Sequence, residues 1–370
     1  MISFKKIFRS SLFTINIVLL VLLLLSAYSY WISPEQIVWF SFLGMGFPIV
    51  LLANILFFIG WLIFFQWRKA FIGIACIVLC WSSIKAYFPL HFTTDTLPDD
   101  CIKILTYNVM GFHHSNPHSK KMPNPVLQYV IDCEADIVCI QEHRSYENSR
   151  LLSPDDVKKA LNMYPYNHFH RIETADPSLG IYGMSIYSKY PIISIQKIKF
   201  PNTTYNGAFK VELDIHGKKT SLINCHLETN NFSDEERQQY AEMIKSPNSQ
   251  TIDAMAEKAV KKLKPAFKSR AEQVDIIAKI IKEDTNPYII VCGDFNDTPI
   301  SYTRNKIKGN LKDAFAETGC GLGITYNRNR FYFRIDYILH TKNIESFNCS
   351  VGALKDSDHY PVYTWLRLKD

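Results

Sequence analysis

The sequence predicts a mixed α/β domain preceded by three membrane-spanning helices. Three observations predict it. Residues from about Phe13 to Phe88 are almost free of charge, while the rest of the 370 residues has an ordinary globular composition. From Cys101 onward, short apolar runs of strand character alternate with helical segments and tight turns. Several of those runs finish on Asn, Glu, His or Asp, which collects polar groups at one sheet edge. Strands mixed with helices and hairpins indicate a mixed sheet rather than a purely parallel one.

The apolar part divides into three runs, about Leu12 to Trp31, Ile37 to Phe65 and Phe71 to Phe88. A membrane span needs roughly 20 apolar residues. The second run is long, and Gly44, Gly46 and Pro48 invite a kink or tilt. Lys5, Lys6 and Arg9 precede the first run and Arg68 and Lys69 separate the last two, whereas the intervening ISPEQ link carries only Glu35. Basic residues favour the cytoplasmic side. The expected topology has the N-terminus inside and everything after the third span outside the cytoplasm, at a plasma (inner) membrane. A cleaved signal peptide would need a small-residue cleavage site, and none is clear before Trp31. The spans lack acidic residues, which argues against a transport function.

The expected organisation is a membrane region over residues 1–92, a polar linker over 93–100 and a catalytic domain over 101–370. Strand candidates are IKILTYNV, DIVCIQE, YGMSIYSKY, AFKVELDI, TSLINCHL, YIIVCGDF, RIDYILH and YPVYTWLRL, with DIHGK as a hairpin turn. Asn124-Pro125 opens one helix and Ser153-Pro154-Asp155-Asp156 another. Ser269 to Glu272 reads as a capping box. It precedes Val274, Ile277, Ala278 and Ile281 at helical spacing, so that helix is expected to begin near Ser269. Residues 231 to 268 read as a polar, partly helical insertion, more simply a solvated excursion than a substrate element.

Of nine cysteines, Cys139, Cys225 and Cys292 sit in apolar strands and behave as small hydrophobes. An odd number in the soluble part and no CxxC pair exclude a disulfide scaffold. The net charge of +6 suits a polyanionic substrate without requiring one.

Chemistry concentrates at strand ends. Alternation puts Ile104, Thr106 and Asn108 on one face. Glu142 stops a buried strand, where a carboxylate costs free energy unless paired or bound to a cation. Hard Mg²⁺ takes oxygen ligands of this kind, so Glu142 with Asn108 is a candidate metal pair. Taken singly, each fits a solvated strand end better. His226 ends another strand, where a structural histidine is the simpler reading. Asp294 and Asn296 point the same way if the backbone stays extended, and Gly293 permits close approach. Asp336 lies in an apolar strand, and Asp358 precedes His359. An aspartate hydrogen-bonded to a histidine fixes its tautomer and favours its protonated form, which can stabilise a phosphorane-like charge.

In this order the motifs resemble the endonuclease/exonuclease/phosphatase, or DNase I-like, superfamily. Asn108, Gln141-Glu142, His226, Gly293-Asp294-Phe295-Asn296, Arg334-Ile335-Asp336-Tyr337-Ile338 and Ser357-Asp358-His359 carry the resemblance, with GMSIYSKYPI similar to a family strand pair. The resemblance implies a four-layer α/β/β/α sandwich with two mixed β-sheets and Mg²⁺- or Mn²⁺-dependent phosphoester hydrolysis. It implies that Glu142 binds the metal with Asn108 and Asp358 nearby, and that Asp294 aligns or activates water. Asn296 would hold the phosphate, His226 and His359 would contact it, and Asp336 would orient His359. Met110 stands where some nuclease members carry an acidic residue, a departure from a DNA-repair type of metal site.

The expected function is a membrane-anchored hydrolase of phosphodiester bonds, read as a nuclease. Lipid head-group hydrolysis, sphingomyelinase-like or phosphoinositide-phosphatase-like, is the alternative. A catalytically silent phosphate-binding domain is the third reading. The expected partners are the phosphodiester substrate and the lipid bilayer, and no protein partner is inferred.

Overall fold

Runs rich in Val, Ile and aromatic residues pack well on a pleated surface and form the strands here. In this computed structural model, residues 4–370 are described apart from 148–149, 174–175, 177, 179, 202–204, 247 and 329–330. The strands are β1 (Ile102–Asn108), β2 (Ile137–Ser145), β3 (Tyr166–Arg171), β4 (Ile181–Ser188), β5 (Ile192–Ile198), β6 (Gly207–Ile215) and β7 (Lys218–His226). They continue with β8 (Tyr288–Asp294), β9 (Lys312–Asp313), β10 (Tyr326–Arg328), β11 (Phe331–Phe333), β12 (Asp336–His340), β13 (Ile344–Val351) and β14 (Val362–Leu368).

Two six-stranded sheets result, in the orders β13-β14-β1-β2-β4-β3 and β5-β6-β7-β8-β12-β9, with β10-β11 as a separate hairpin. The pairs β1/β2 and β7/β8 are parallel and the rest antiparallel, so both sheets are mixed, as expected. Alternation along each strand sends one set of side chains between the sheets. Ile104, Cys139, Ile186, Val211, Leu222 and Ile290 belong to that fully buried inter-sheet core. The opposite face of the first sheet packs Leu105, Val138 and Ile140 against Val126, Leu127 and Val130 of the helix Pro125–Asp132. The outer face of the second packs Ile223, Val291 and Leu339 against Val274 and Ile277. Helix, sheet, sheet and helix form four layers.

Three local expectations change. The helix expected to start at Ser269 is a 35-residue helix, Ser249–Glu283, that runs through Pro265. Its middle buries Leu263 and Phe267 against Val38 in a cluster that also takes in Phe42 and Met45, and this burial overrides the capping signal. The insertion is therefore helical: Asp234–Lys245, which has no buried residue, and the first part of Ser249–Glu283, which buries Met255 and Leu263 and so departs from a solvated excursion. The strand expected to stop at Glu142 continues as β2 to Ser145, past a register shift between Ile140 and His143. The DIHGK turn is as expected, with Ile215 paired to Lys218.

The expectation of three transmembrane helices is corrected to one continuous helix. Among the described residues, Phe8–Ala27 is the one continuous helix long and apolar enough to cross a membrane. The second run is a bent pair, Trp39–Met45 and Phe47–Ile63, meeting at 57° around Gly46 and Pro48, where the sequence predicts a kink. The third is also bent, by 62°, between Trp67–Leu79 and Trp81–Tyr87, with neither Gly nor Pro at Cys80. This region packs on the two-sheet domain. Ile300 shares a cluster with Leu23, Ala27, Phe47 and Tyr87, and Arg334 Nη2 donates to the Ala86 carbonyl.

Candidate active site

Strand register brings the polar strand ends together. Asn108 pairs with Gln141, His226 with Asp294, and Asp336 with Asp294 from the other side. Gly293 makes the β7/β8 pairing possible. Its φ is +128°, and a Cβ there would stand 1.9 Å from the Cys225 carbonyl oxygen. The close neighbour is thus backbone.

Asn108 joins the two sheets. Its Nδ2 donates to Glu142 Oε1 and to Asp294 Oδ2, both at 3.1 Å. Its Oδ1 accepts from the Met110 N–H, and its carbonyl accepts from Ser357 Oγ. Glu142 sits in the β2 bulge with φ +53°, which turns its carboxylate out of the sheet and leaves the side chain 26% exposed. Such backbone costs of order 1–3 kcal/mol and persists where the surroundings enforce it. Burial, then the charge of Asp358, raises the Glu142 pKa, opposed by the Asn108 hydrogen bond.

Asp294 is buried, and burial pushes its carboxyl up to about 7, against the lowering influence of His359. Asn296 departs from the extended backbone that would align it with Asp294. It adopts φ +53°, its N–H donates to Asp294 Oδ1 at 2.8 Å, and its Nδ2 donates to the Leu227 carbonyl at 3.0 Å.

His359 Nδ1 lies 2.9 Å from Asp336 Oδ2, and its Nε2 lies 3.5 Å from Asp294 Oδ2. Burial lowers its pKa, but the Asp336 and Asp294 carboxylates outweigh that and hold it well above its ordinary value. His226 is the opposite case. Burial, then the neighbouring His359, lowers it to about 4. Its Nε2 stands 3.7 Å from Glu142 and 3.8 Å from Asp294, with no hydrogen-bond partner among the described residues. Asp358 pairs with Arg328 at 3.3 Å, and Arg328 also reaches Asp234 of the insertion.

The eight residues predicted from sequence lie around one region, though not as one cluster of contacts. Asn108, Glu142, His226, Asp294, Asn296, Asp336 and His359 are linked by the distances above. Asp358 stands to the side with Arg328. Glu142, Asp294, Asn296, Asp358 and His359 line one cavity of about 400 Å³.

Asp294, Asp336 and His359 bring ligand atoms within 4.8 Å of one another. The Asp336 contact engages Nδ1 and favours a protonated ring, which has no lone pair for a metal. That trio suits a proton relay. A hard cation fits the other side better: Glu142 and Asp358 are carboxylates whose mutual repulsion it would relieve, and they are the oxygen donors that Mg²⁺ or Mn²⁺ prefers.

Other residues of the site escape a motif reading. Gln141 Nε2 donates to Asn224 Oδ1 at 2.6 Å and to Thr106 Oγ1 at 3.0 Å, forming a buried polar layer beneath Asn108. Their signal was available, because Thr106 and Asn224 fall on the same strand faces as Asn108 and His226. Arg270 Nη1 donates to Glu228 O and Asn230 Oδ1, and its Nε lies 3.4 Å from Asp297, tying the loops after β7 and β8 together. Nothing local distinguishes Arg270 or Arg328 from surface arginines.

The model of the endonuclease/exonuclease/phosphatase family matches residues 105–359. The chain belongs to this family. Membership makes it a phosphoesterase by class. A second model, for a domain of unknown function, matches residues 5–87. Among curated proteins none matches. Of solved structures, the family protein from Beutenbergia cavernae is 19% identical, covering 73% of this chain and 72% of that one, with a TM-score of 0.51. The human Nocturnin catalytic domain with bound sulfate anion is 15% identical, covering 73% and 94%, with a TM-score of 0.50. At these identities both likenesses are of fold.

Proposed function

We propose that this chain is a divalent-cation-dependent hydrolase of phosphoester bonds, held at a membrane by residues 1–92 and carrying its chemistry in residues 101–370 after a linker over 93–100. One observation carries the reading: Asn108, Glu142, His226, Asp294, Asp336 and His359, from five strands and the turn before β14, converge at one end of the paired sheets.

In this reading Glu142, with Asn108 and Asp358, holds Mg²⁺ or Mn²⁺. The bound cation supplies charge stabilisation at a phosphoryl oxygen. The chain's own residues do the rest. Asp294, with its carboxyl raised toward neutrality, accepts the proton of the attacking water. His359, kept protonated by Asp336, donates to the phosphoryl group as negative charge grows there. Neutral His226 offers Nε2, and Asn296 offers the second N–H of its amide.

The topology proposed follows the charge, with the N-terminus cytoplasmic, Phe8–Ala27 as the continuous span and the catalytic domain extracytoplasmic. Lys69 lies over the Phe13 and Trp61 rings at one end of the helix group, while Ala86 meets the catalytic domain at the other. Of the two substrate classes, nucleic acid and lipid head group, the second gains support from the cavity, whose wall includes Met45, Met243, Met255 and Leu263.

The full chain in nonionic detergent should hydrolyse bis(p-nitrophenyl) phosphate with added Mg²⁺ and stop on addition of EDTA. Glu142→Ala should lower the rate by at least ~10²-fold, within the range of lost charge stabilisation. Full metal-dependent activity in Glu142→Ala overturns the site assignment. Phosphate binding without turnover in the wild type supports the silent-domain reading instead.

A further inference from the structure

The cavity that holds the polar groups is also lined by a continuous apolar set that the chemistry does not use. Met243, Ile252, Met255, Ala256, Ala259 and Leu263 come from the two insertion helices. Phe331 and Phe333 of the β10–β11 hairpin form another wall. The hairpin is fixed to the insertion by rings: Phe331 stacks on Tyr240 at 4.1 Å between centroids and lies 5.7 Å from Phe232. Met45, the last residue of the helix Trp39–Met45, completes the lining from the N-terminal apolar region. That helix is seated on the insertion through Phe42, whose ring meets Phe267 edge-on at 5.2 Å. One cavity therefore has a phosphoryl-binding end, an apolar lining and a wall contributed by the segment expected in the bilayer.

A polynucleotide calls for cations along its backbone and flat open rings for its bases. Here the apolar lining mixes aliphatic side chains with aromatic rings, and the rings are engaged: Phe331 with Tyr240 and Phe232, Phe267 with Phe42, and Tyr326 with His359. Arg237 and Arg270 do line the cavity, but both are engaged, with Asp234 and Asp297 respectively. At about 400 Å³ the cavity lies within the ~300–1,000 Å³ of small-molecule pockets.

We propose that this cavity holds the hydrocarbon chain of an amphiphilic phosphate ester while its phosphoryl group lies among Glu142, Asp294 and His359. The inference rests on the phosphoesterase reading of the site and adds the substrate class. It also gives residues 231 to 268 a function as the chain-binding element, and it explains why Met45 reaches the cavity: a membrane-resident substrate enters from that side. In the step itself, water oxygen bonds to phosphorus, the ester P–O bond breaks, the water proton passes to Asp294, and the leaving oxygen departs with the bonding pair, as phenolate or as an alkoxide that takes a proton from solvent water.

The test uses the full chain in nonionic detergent with Mg²⁺ and a series of p-nitrophenyl alkyl phosphates, from ethyl to octyl, below their aggregation concentrations. Hydrolysis releases p-nitrophenolate and leaves the alkyl phosphate. Burial of each added methylene should raise kcat/KM by about fourfold, mainly through KM. Ala256→Trp and Ala259→Trp, which fill the cavity, should flatten the series. A flat series in the wild type, with bis(p-nitrophenyl) phosphate still hydrolysed, overturns the chain pocket and leaves the phosphoesterase reading intact. A slope that stays steep in both variants reports partition into detergent and also overturns it. Faster hydrolysis of thymidine p-nitrophenyl phosphate than of the octyl ester overturns it in favour of a nucleic-acid groove. A readout independent of turnover is photolabelling of the full chain in lipid nanodiscs with a dodecyl phosphate bearing a terminal diazirine. Adducts should map to residues 243–263 and disappear with excess decyl phosphate. Adducts confined to the helices between Phe4 and Tyr87, or insensitive to competitor, overturn the proposal even if no ester is turned over.

Discussion

His359 bridges two buried carboxylates, with Asp336 at one ring nitrogen and Asp294 facing the other. Its elevated pKa is a consequence of that placement, since burial by itself would favour the neutral ring. In the proposed reading Asp336 acts through His359, as a positioning residue. Asp336→Asn keeps the shape but removes the charge, so the His359 pKa should fall. Proton-transfer contributions of ~10²–10⁴ set the scale of the loss expected in kcat, with KM little changed. With the protonated ring as the working form proposed above, the alkaline limb of the pH–rate profile should move to lower pH. A uniform loss of activity with an unmoved profile would instead mark a structural role for Asp336. At this scale the sequence was largely readable. Asn108, Glu142 and Asp294 end apolar runs and His359 precedes one; singly a polar strand end reads as solvated, and it is their combination and order along the chain that points to chemistry. Arg328 and Arg270 were not readable, because their partners Asp358 and Asp297 are distant in sequence and only the fold brings them near.

Strand pairing is what turns those residues into a site. The parallel β7/β8 register sets His226 opposite Asp294, and Gly293 allows the two backbones to approach. Gly293→Ala places a methyl against the Cys225 carbonyl in a backbone conformation that side chains disfavour. Strain and overpacking together should cost about 3 kcal/mol. Thermal unfolding of the full chain in detergent should show a lower midpoint, and activity should fall with it. Unchanged stability would mean that β7 and β8 can separate without cost. The strands themselves were legible from apolar runs and turn residues. The β2 bulge at Glu142, the left-handed turn at Asn296 and the unbroken helix Ser249–Glu283 were not. In each case tertiary contacts overrule a local signal: Phe267 and Leu263 are buried against Val38, so the helix has no reason to stop at the Ser269 cap. The bend at Cys80 lacks any local cue.

Across the whole molecule, a buried charge cluster couples the apolar N-terminal region to the two-sheet domain. Asp313 accepts from Arg304 Nη2 at 2.6 Å and from Arg334 Nη1 at 3.2 Å, and it caps the helix Ala314–Thr318 through the Phe315 and Ala316 N–H groups. Arg334 in turn donates to the Ala86 carbonyl at the end of the last apolar helix. Burial alone would raise the Asp313 pKa, but the two guanidiniums and the cap donors hold it well below the usual carboxylate range. A depressed folded pKa means that this contribution is fully present above the unfolded value, near ~3.9, and is lost as pH falls toward the folded one. Asp313→Asn leaves two buried cations without their counter-charge, which should cost about 3–5 kcal/mol at neutral pH. Measured by denaturation from pH 7 down to 3, the gap between wild type and variant should be constant above about pH 5 and should narrow below about pH 4. Limited proteolysis after Tyr87 should also accelerate in the variant if this cluster fastens the two regions together. A gap that does not narrow in acid would show that the carboxylate charge is not what stabilises the junction.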